Sequence, residues 1–389
     1  IEGDADRCVL VRNQENWPGR GTKTFGDGYA LAKAIPREKF FDFTPADVPM
    51  PGGTTTLIFN LKTKRLESSF LSLAGTAGNC CGGPTPWGSW LTCEETIEAR
   101  GPNAGRAHGY VFEVPSRSRG LVDPVPLTAM GRFVHEAAAI DPRTGVVYLT
   151  EDNPAGLFYR FLPASKGELH KGGRLQALAL RGDRSRDVRN WPSDGSRMSG
   201  AGAQAAVGQS FAVEWLDMTN VDTPEADLKE RGYAAGALRF ARGEGLAYGV
   251  RRDGRGGEIF ISCTAGGPKR IGQVWRYRPS PFEADPREKS EPATLDLFVE
   301  SEDPAVLDSC DNVVVAPWGD VILCEDGDGD QYLRGVTPAG ALYTLARNAD
   351  AGNGEFAGAC FSPDGATMFV NIQRPGHTLA INGPWPSAK

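Results

Sequence analysis

One frame recurs five times along this chain, and few folds are open to a chain built on it. An apolar run leads into a turn of the Pro/Asp-x-Gly kind, and a second apolar run leaves the turn and usually ends in Cys or Thr followed by acid. The copies are CCGGPTPWGSWLTCEE, EAAAIDPRTGVVYLTED, EGLAYGVRRDGRGGEIFISCT, DNVVVAPWGDVILCED and AGACFSPDGATMFVNIQ, from Cys80 to Gln373. Two β-rich runs about a tight turn make a β-hairpin. A third run with an aromatic or basic centre follows each hairpin: GYVFEVP, LFYRFLP, QVWRYRP, QYLRGVTP and HTLAING. Short antiparallel strands repeated in this way predict an all-β chain and a β-propeller.

The same frame marks where chemistry can sit. Six residues before the turn position stand Cys80, Glu136, Glu244 and Asp311, and only the last copy, with Ala357, breaks the series. In a propeller the first strand of each blade lines the channel, so this position is expected at one channel mouth, with the metal centre there. The second strand returns to the same mouth and carries Glu94 and Glu95, Glu151 and Asp152, Glu325 and Asp326 at its end. So many carboxylates raise one another's pKa, and bound cations are the simplest compensation. From these pairs Glu325 is taken as a ligand beside Cys80, Glu136, Glu244 and Asp311. A thiolate at Cys80 favours iron or another transition metal, while the acids suit calcium or other hard cations.

Arg242 stands two residues before Glu244, which in a strand gives both the same face. It either neutralises carboxylates or offers its planar fork to a phosphate held by the metals. Arg181, Arg184, Arg186 and Arg189 alternate with acid and Ser and read as a solvated loop. Cys93, Cys263 and Cys324 share one repeat position and read as buried packing; Cys8 and Cys360 are left as a pairing that sequence cannot decide.

Several chemistries lack their entry motifs. No G-x-S-x-G elbow or G-x-x-x-x-G-K-[ST] loop occurs. His135-Glu136 opens like a zincin, but Ala139 fills the second histidine position. EDGDGD, from Glu325 to Asp330, has calcium-loop spacing, yet Thr337 stands where an EF-hand requires Glu. Four histidines leave little for a His-rich zinc site.

With 389 residues and 40% apolar content the chain can bury a large core, and one repeat family argues for a single domain, 1–389. Residues 1–50 read as an irregular arm with a short helical piece around Asp27 to Lys33. Gly53 to Leu73 gives two β-rich runs about a turn at Lys62 to Lys64, the candidate sixth blade, closed by HTLAING. The longest interval between repeats reads as an insertion over one face or a degenerate blade, and a blade with an insertion, 164–231, is the preferred reading, with FAVEWLDM and then a helix expected over Thr223 to Arg231. The net charge of -7 speaks against nucleic acid or an anionic membrane as partner. No apolar run approaches the roughly 18 residues of a membrane span.

Asn79 to Glu95, GRFVHEAAAIDPRTGVVYLTED, RFARGEGLAY, DNVVVAPWGDVILCEDG and EFAGACFSPDGATMFVNIQRPG together resemble the PhoX-type alkaline phosphatases, over most of the chain from Asn79 to Gly376. The resemblance implies a six-bladed propeller, a centre of ferric iron and calcium, hydrolysis of phosphomonoesters, and export to the periplasm or beyond the cell. Carried over by position, Cys80 is the thiolate on iron. Glu94, Glu136, Glu244, Asp311 and Glu325 are the carboxylates on iron or calcium, and Arg242 is the phosphate-binding, catalytic arginine. A small phosphate ester is then the partner, and the chain is expected to act as a monomer. Cys81, where the family more often has a small residue, is a departure. A calcium-dependent lactonase or organophosphate hydrolase, or a metal-stabilised scaffold, are the competing readings, and a calcium-only enzyme has no need of Cys80.

Overall fold

The computed structural model describes residues 4–19, 24–196, 199–200, 202–349, 352 and 354–386. The chain forms two compact units. The first comprises Ile1–Gly145, Pro163–Leu175 and Thr219–Leu228, and the second Val146–Leu162, Gln176–Met218 and Lys229–Lys389.

In the first unit β1 (Arg7–Gln14), β2 (Gly52–Asn60) and β3 (Arg65–Thr76) form one antiparallel sheet in that order. The expected arm is therefore in part a strand: β1 pairs with β2 over its whole length, from Arg7 opposite Asn60 to Gln14 opposite Gly53. It reads poorly because polar Arg12, Asn13 and Gln14 interrupt the apolar alternation. The three 3-10 turns at Asp27–Tyr29, Ala32–Ala34 and Arg37–Lys39 account for the short helical piece. The turn at Lys62 to Lys64 forms as expected, with Asn60 Oδ1 accepting from the N–H groups of Lys62 and Thr63 and Lys64 in the left-handed region at φ 55°. A second sheet holds β4 (Asn79–Pro84), β5 (Ser89–Glu94) and β6 (Val111–Pro115), and β7 (His135–Ile140) packs beside β4. Phe41, Leu73, Tyr110, Phe112 and Val114 make one of this unit's apolar clusters.

The second unit contains β8 (Val147–Glu151), β11 (Ser210–Asp217) and most of β9 (Phe158–Pro163) and β10 (Gly173–Leu180). After the helix α1 (Leu228–Ala235) come β12 (Gly243–Val250), β13 (Gly257–Cys263), β14 (Gln273–Arg278) and β15 (Thr294–Glu300). The next four strands, β16 (Cys310–Val315), β17 (Val321–Glu325), β18 (Tyr332–Val336) and β19 (Leu342–Arg347), form one meander. A last sheet is β20 (Phe356–Phe361), β21 (Thr367–Ile372) and β22 (His377–Asn382). HTLAING thus supplies β22 and pairs with β21, while the place beside β2 is taken by β1. The helix starts five residues later than expected. Thr223 to Ala226 is a turn, with the Ala226 N–H on Thr223 O at 3.2 Å and Ala226 left-handed at φ 48°, so TPEAD precedes the helix rather than opening it.

The turns keep the frame's chemistry. Gly88, Gly319 and Gly365 have φ of 84°, 90° and 71°, and each donates its N–H to the carbonyl three residues earlier. A positive φ of this size strains any residue with a Cβ, which is why the third turn position is Gly in each copy.

Candidate metal centre

The inner strand of four repeats carries the same irregularity. The ladder shifts register between Asn79 and Gly82, between Gly243 and Leu246, between Cys310 and Val313, and between Ala357 and Cys360. A bulge leaves its residues out of the pairing and re-aims their side chains. Cys80, Glu244 and Asp311 all lie inside such a shift, so the repeat position found in the sequence coincides with a backbone device that turns a side chain out of the sheet.

In the first unit Cys80 meets Glu15 and Glu95, with Sγ and one oxygen of each acid all within 4.8 Å of one another. Strand β1 helps set this geometry. Asn13 Nδ2 donates to the carbonyls of Cys80 at 2.6 Å and Cys81 at 2.7 Å, and its Oδ1 accepts from Trp90 Nε1 and Thr92 Oγ1. The two glycines that follow let the chain lie close to its neighbours. A Cβ on Gly82, at φ 148°, would stand 1.8 Å from Leu91 O, and one on Gly83 would stand 1.8 Å from Ala138 O. Cys-Cys-Gly-Gly is thus a bulge clamped between β5 and β7.

Glu136 is completely buried as the second residue of β7. Its neighbour His135 is buried against Phe133, with ring centroids 3.5 Å apart. Burial pushes the imidazole down to about 3, so it is neutral, and its Nε2 lies 3.0 Å from Gly131 O. A core histidine of this kind agrees with the failure of the zincin motif.

Glu94 has other partners than the ligand reading supposes. Its buried carboxylate accepts from the N–H groups of Ala77, Gly109 and Tyr110 and sits 2.6 Å from His108 Nδ1. His108 Nε2 in turn lies 3.2 Å from Asp42. Burial opposes a charge on this imidazole, but the two carboxylates prevail and raise it to about 9. Glu325 repeats the arrangement in the second unit: it accepts from Arg334 Nε at 2.8 Å and from the Asp308 N–H at 2.9 Å. Its burial raises the pKa, and Arg334 works against that rise. The acids that enter the clusters are the next residues along, Glu95 and Asp326.

The second unit gathers Asp311, Asp326 and Glu355, with an oxygen of each within 4.8 Å of the others. Asn312 Nδ2 donates to Asp311 Oδ1, and the EDGDGD loop is tied by Gln331 Nε2 to the carbonyls of Gly327 and Gly329. In the same unit Arg242 holds Asp152 through Nε and Nη2, both at 2.8 Å, and Glu244 through Nη2 at 2.5 Å. Burial disfavours its charge, but the bidentate bond to Asp152 and the charge of Glu244 outweigh that and raise its pKa. Arg242 does not share a strand face with Glu244, because it sits before β12 in the left-handed region at φ 53°. Its side chain reaches the acid from that bend. Glu244 itself is buried, and its carbonyl accepts from Thr150 Oγ1.

Sequence reasoning passed over Glu15 and Glu355. Glu15 follows the strand that was read as an arm. Glu355 stands two residues before Ala357, just ahead of β20, so the acid missing at the repeat position of the fifth copy is supplied from outside the strand. The solvated-loop reading fails at Arg189: this side chain is buried, bidentate on Asp187 at 2.8 and 2.6 Å, and stacked 3.9 Å from the Trp191 ring centroid. Cys93, Cys263 and Cys324 are fully buried, and Cys8, buried, and Cys360, half-buried, form no disulfide with each other.

Comparison with known proteins places these observations. The family model described as Alkaline phosphatase PhoX matches residues 52–376. Among solved structures, PhoX from Pseudomonas fluorescens in complex with vanadate, a transition-state analogue, aligns with a TM-score of 0.65 at 19% identity, covering 96% of this chain and 82% of that one. That likeness shows the fold, a β-propeller. The β-propeller domain of Cps50 (Swd1) from Myceliophteria thermophila gives a TM-score of 0.43 at 11% identity, covering 85% of this chain and 90% of that one. The periplasmic gluconolactonase PpgL from Pseudomonas aeruginosa gives 0.42 at 11% identity, with 84% and 72% covered. Scores at this level carry no argument. None of the curated proteins matches the chain.

Proposed function

The chain belongs to the alkaline phosphatase PhoX family, a family of metal-dependent phosphatases, and on that premise we propose that it hydrolyses small phosphomonoesters with ferric iron and calcium as its metals. The observation that carries the choice of metals is the chemistry of the two donor sets. Cys80 with Glu15 and Glu95 joins a thiolate to two carboxylates, a set suited to iron. Asp311 with Asp326 and Glu355 offers oxygen alone, which suits calcium. Glu136 and Glu244, at the equivalent repeat position, are proposed as further carboxylate ligands. Glu94 and Glu325 are proposed in a changed role, as buried supports of the acids that follow them.

Bound metal supplies Lewis-acid charge to phosphate oxygens and lowers the pKa of a coordinated water. The protein's own part is to place donors and charge. Arg242 spends Nε and Nη2 on Asp152 and Glu244, and Nη1 is the nitrogen proposed to meet a phosphate oxygen. With about a third of its side chain exposed, it keeps a path to an incoming ester. A fixed guanidinium directed at developing negative charge stabilises the transition state without reorganising during the reaction.

The sheets β1–β3, β4–β6, β16–β19 and β20–β22 are proposed as four of six blades of one domain, and the nine-stranded sheet built from β7 to β15 is proposed as the other two. Among the described residues no helix is long and apolar enough to cross a membrane. Export and a monomeric state complete the proposal.

The test is elemental analysis of protein purified without chelators, joined to hydrolysis of p-nitrophenyl phosphate. Iron and calcium together with turnover support the reading. Cys80→Ser is expected to lose iron, keep calcium and reduce kcat by a hundredfold or more, on the order of 3 kcal/mol in the barrier. Undiminished iron and activity in that variant would remove Cys80 from the centre.

A further inference from the structure

Asp152 was seen in the sequence only as one of several acids, yet its geometry gives it a defined task. Both of its oxygens are engaged by one edge of the Arg242 guanidinium, at 2.8 Å each, in the parallel two-bond arrangement that fixes the plane of the group. The loop carrying Asp152 also fixes the arginine's backbone. The Arg242 N–H donates to Asn153 O at 3.0 Å, while the Arg242 carbonyl accepts from the Thr264 N–H at 3.1 Å. That backbone is held at φ 53°, a conformation costly for a residue with a Cβ and kept only where its surroundings impose it.

The loop itself is rigidly built. Gly156 N donates to Asn153 O, Ala155 N donates to Asn153 Oδ1, and Asn153 N donates to Glu151 O. Glu151 is buried beneath it and accepts from the Leu157 N–H and from Tyr159 Oη. A Cβ on Gly156 would stand 2.4 Å from Glu151 O, so the turn closes tightly on its own strand.

We propose that Asp152 is a positioning residue for phosphate binding: it clamps the Nε/Nη2 edge of Arg242 so that the Nη1 side faces the substrate in a fixed plane. The inference rests on the phosphatase reading above and deepens it. A long, flexible arginine that must be ordered at the moment of binding loses affinity to side-chain entropy, and a carboxylate that orders it beforehand removes that cost. Since the phosphate group is common to ester and product, the clamp acts on the ester's KM and on the affinity for inorganic phosphate alike. It acts less on kcat, because the arginine regains its place once the phosphate is bound.

The experiment compares wild type, Asp152→Asn, Arg242→Ala and the double variant. The readouts are binding of inorganic phosphate by calorimetry, the KM and kcat for p-nitrophenyl phosphate, and iron and calcium content. Asp152→Asn is expected to weaken phosphate binding and raise KM about tenfold, with kcat within about twofold and metal content unchanged. In the Arg242→Ala background the same change is expected to have no further effect, as required of a residue that acts through the arginine. Asp152→Glu, which keeps the charge, is expected to recover part of the affinity. The proposal is overturned if Asp152→Asn leaves phosphate affinity and KM unaltered in an active enzyme, if its effect persists without Arg242, or if it loses metal, since Asp152 would then be a ligand. A wild-type protein that carries its metals but neither binds phosphate nor turns over the ester overturns the phosphatase reading and this inference with it.

Discussion

The ends of β5 and β17 carry the same pair of neighbouring acids, Glu94–Glu95 and Glu325–Asp326, and treat them alike in geometry but not in chemistry. In both, the first acid is buried and bound to backbone N–H groups and a cation, and the second joins a cluster of ligand atoms. The cation differs. Glu325 faces the guanidinium of Arg334, whereas Glu94 faces His108, whose charge depends on Glu94 and Asp42. A third strand end, Glu151–Asp152, gives its first acid neutral donors: Glu151 accepts from Tyr159 Oη and the Leu157 N–H, and burial raises it to about 7, with Lys229 working against that rise. The common element is the strand-end frame, and the partner of the first acid differs from one strand end to the next.

This comparison is most sharply tested by removing the cations. His108→Ala leaves two buried carboxylates, Glu94 and Asp42, facing each other's charge. It is expected to cost about 4–5 kcal/mol in chemical denaturation, the upper part of the range for breaking a buried pair. Arg334→Ala strands one carboxylate that keeps the Asp308 N–H, and about 3 kcal/mol is expected. An equal cost for both, or a larger one for Arg334, would break the claim that His108 serves two acids.

A smaller effect should appear with pH alone. His108 is raised from 6.5 in the unfolded chain to about 9 in the fold. The protonated form is therefore favoured by folding. Its stabilisation is fully present below about pH 6.5 and is lost as pH rises through 9, amounting to at most about 3 kcal/mol. Asp42 is lowered: burial would raise it, but His108 and the N–H groups of Arg106 and Phe43 more than offset that. Its contribution is accordingly lost at the acid end. Melting temperatures measured from pH 6 to 10 should fall on the alkaline side in wild type and stay flatter in His108→Ala.

Much of this was legible in the residues, and the reasons it stopped are physical. Four inner-strand positions, Cys80, Glu136, Glu244 and Asp311, share one place in the repeat, because a repeat forces equivalent residues into equivalent places. The hairpin turns were found because Gly at a left-handed position leaves a mark. The choice between Glu94 and Glu95, or Glu325 and Asp326, could not be made from the strand. It rests on His108 and Arg334, which approach from later segments, and no local periodicity predicts them. Glu15 was lost with β1, whose long-range pairing to Gly53–Asn60 supplies the order that its polar sequence does not advertise. Arg242 was chosen rightly as a neighbour of Glu244 but for the wrong local geometry, since a left-handed arginine before a strand is a tertiary outcome.

The smallest expected effect separates the two members of a pair. Asp326 is exposed and Glu325 is buried, so their amide variants should fail in opposite ways. Asp326→Asn removes one charged oxygen from the cluster with Asp311 and Glu355 and touches no core hydrogen bond. Its calcium affinity should fall about tenfold, near 1.4 kcal/mol, with no change in melting temperature once the metal is chelated. Glu325→Gln should do the reverse. It removes the buried charge that answers Arg334, so the chelated protein itself should melt lower, while calcium affinity follows only as far as the strand end is displaced. If Asp326→Asn lowers the melting point of the metal-free protein and Glu325→Gln does not, then the assignment of support to the first acid and ligation to the second is inverted, and the frame shared with Glu94–Glu95 loses its meaning.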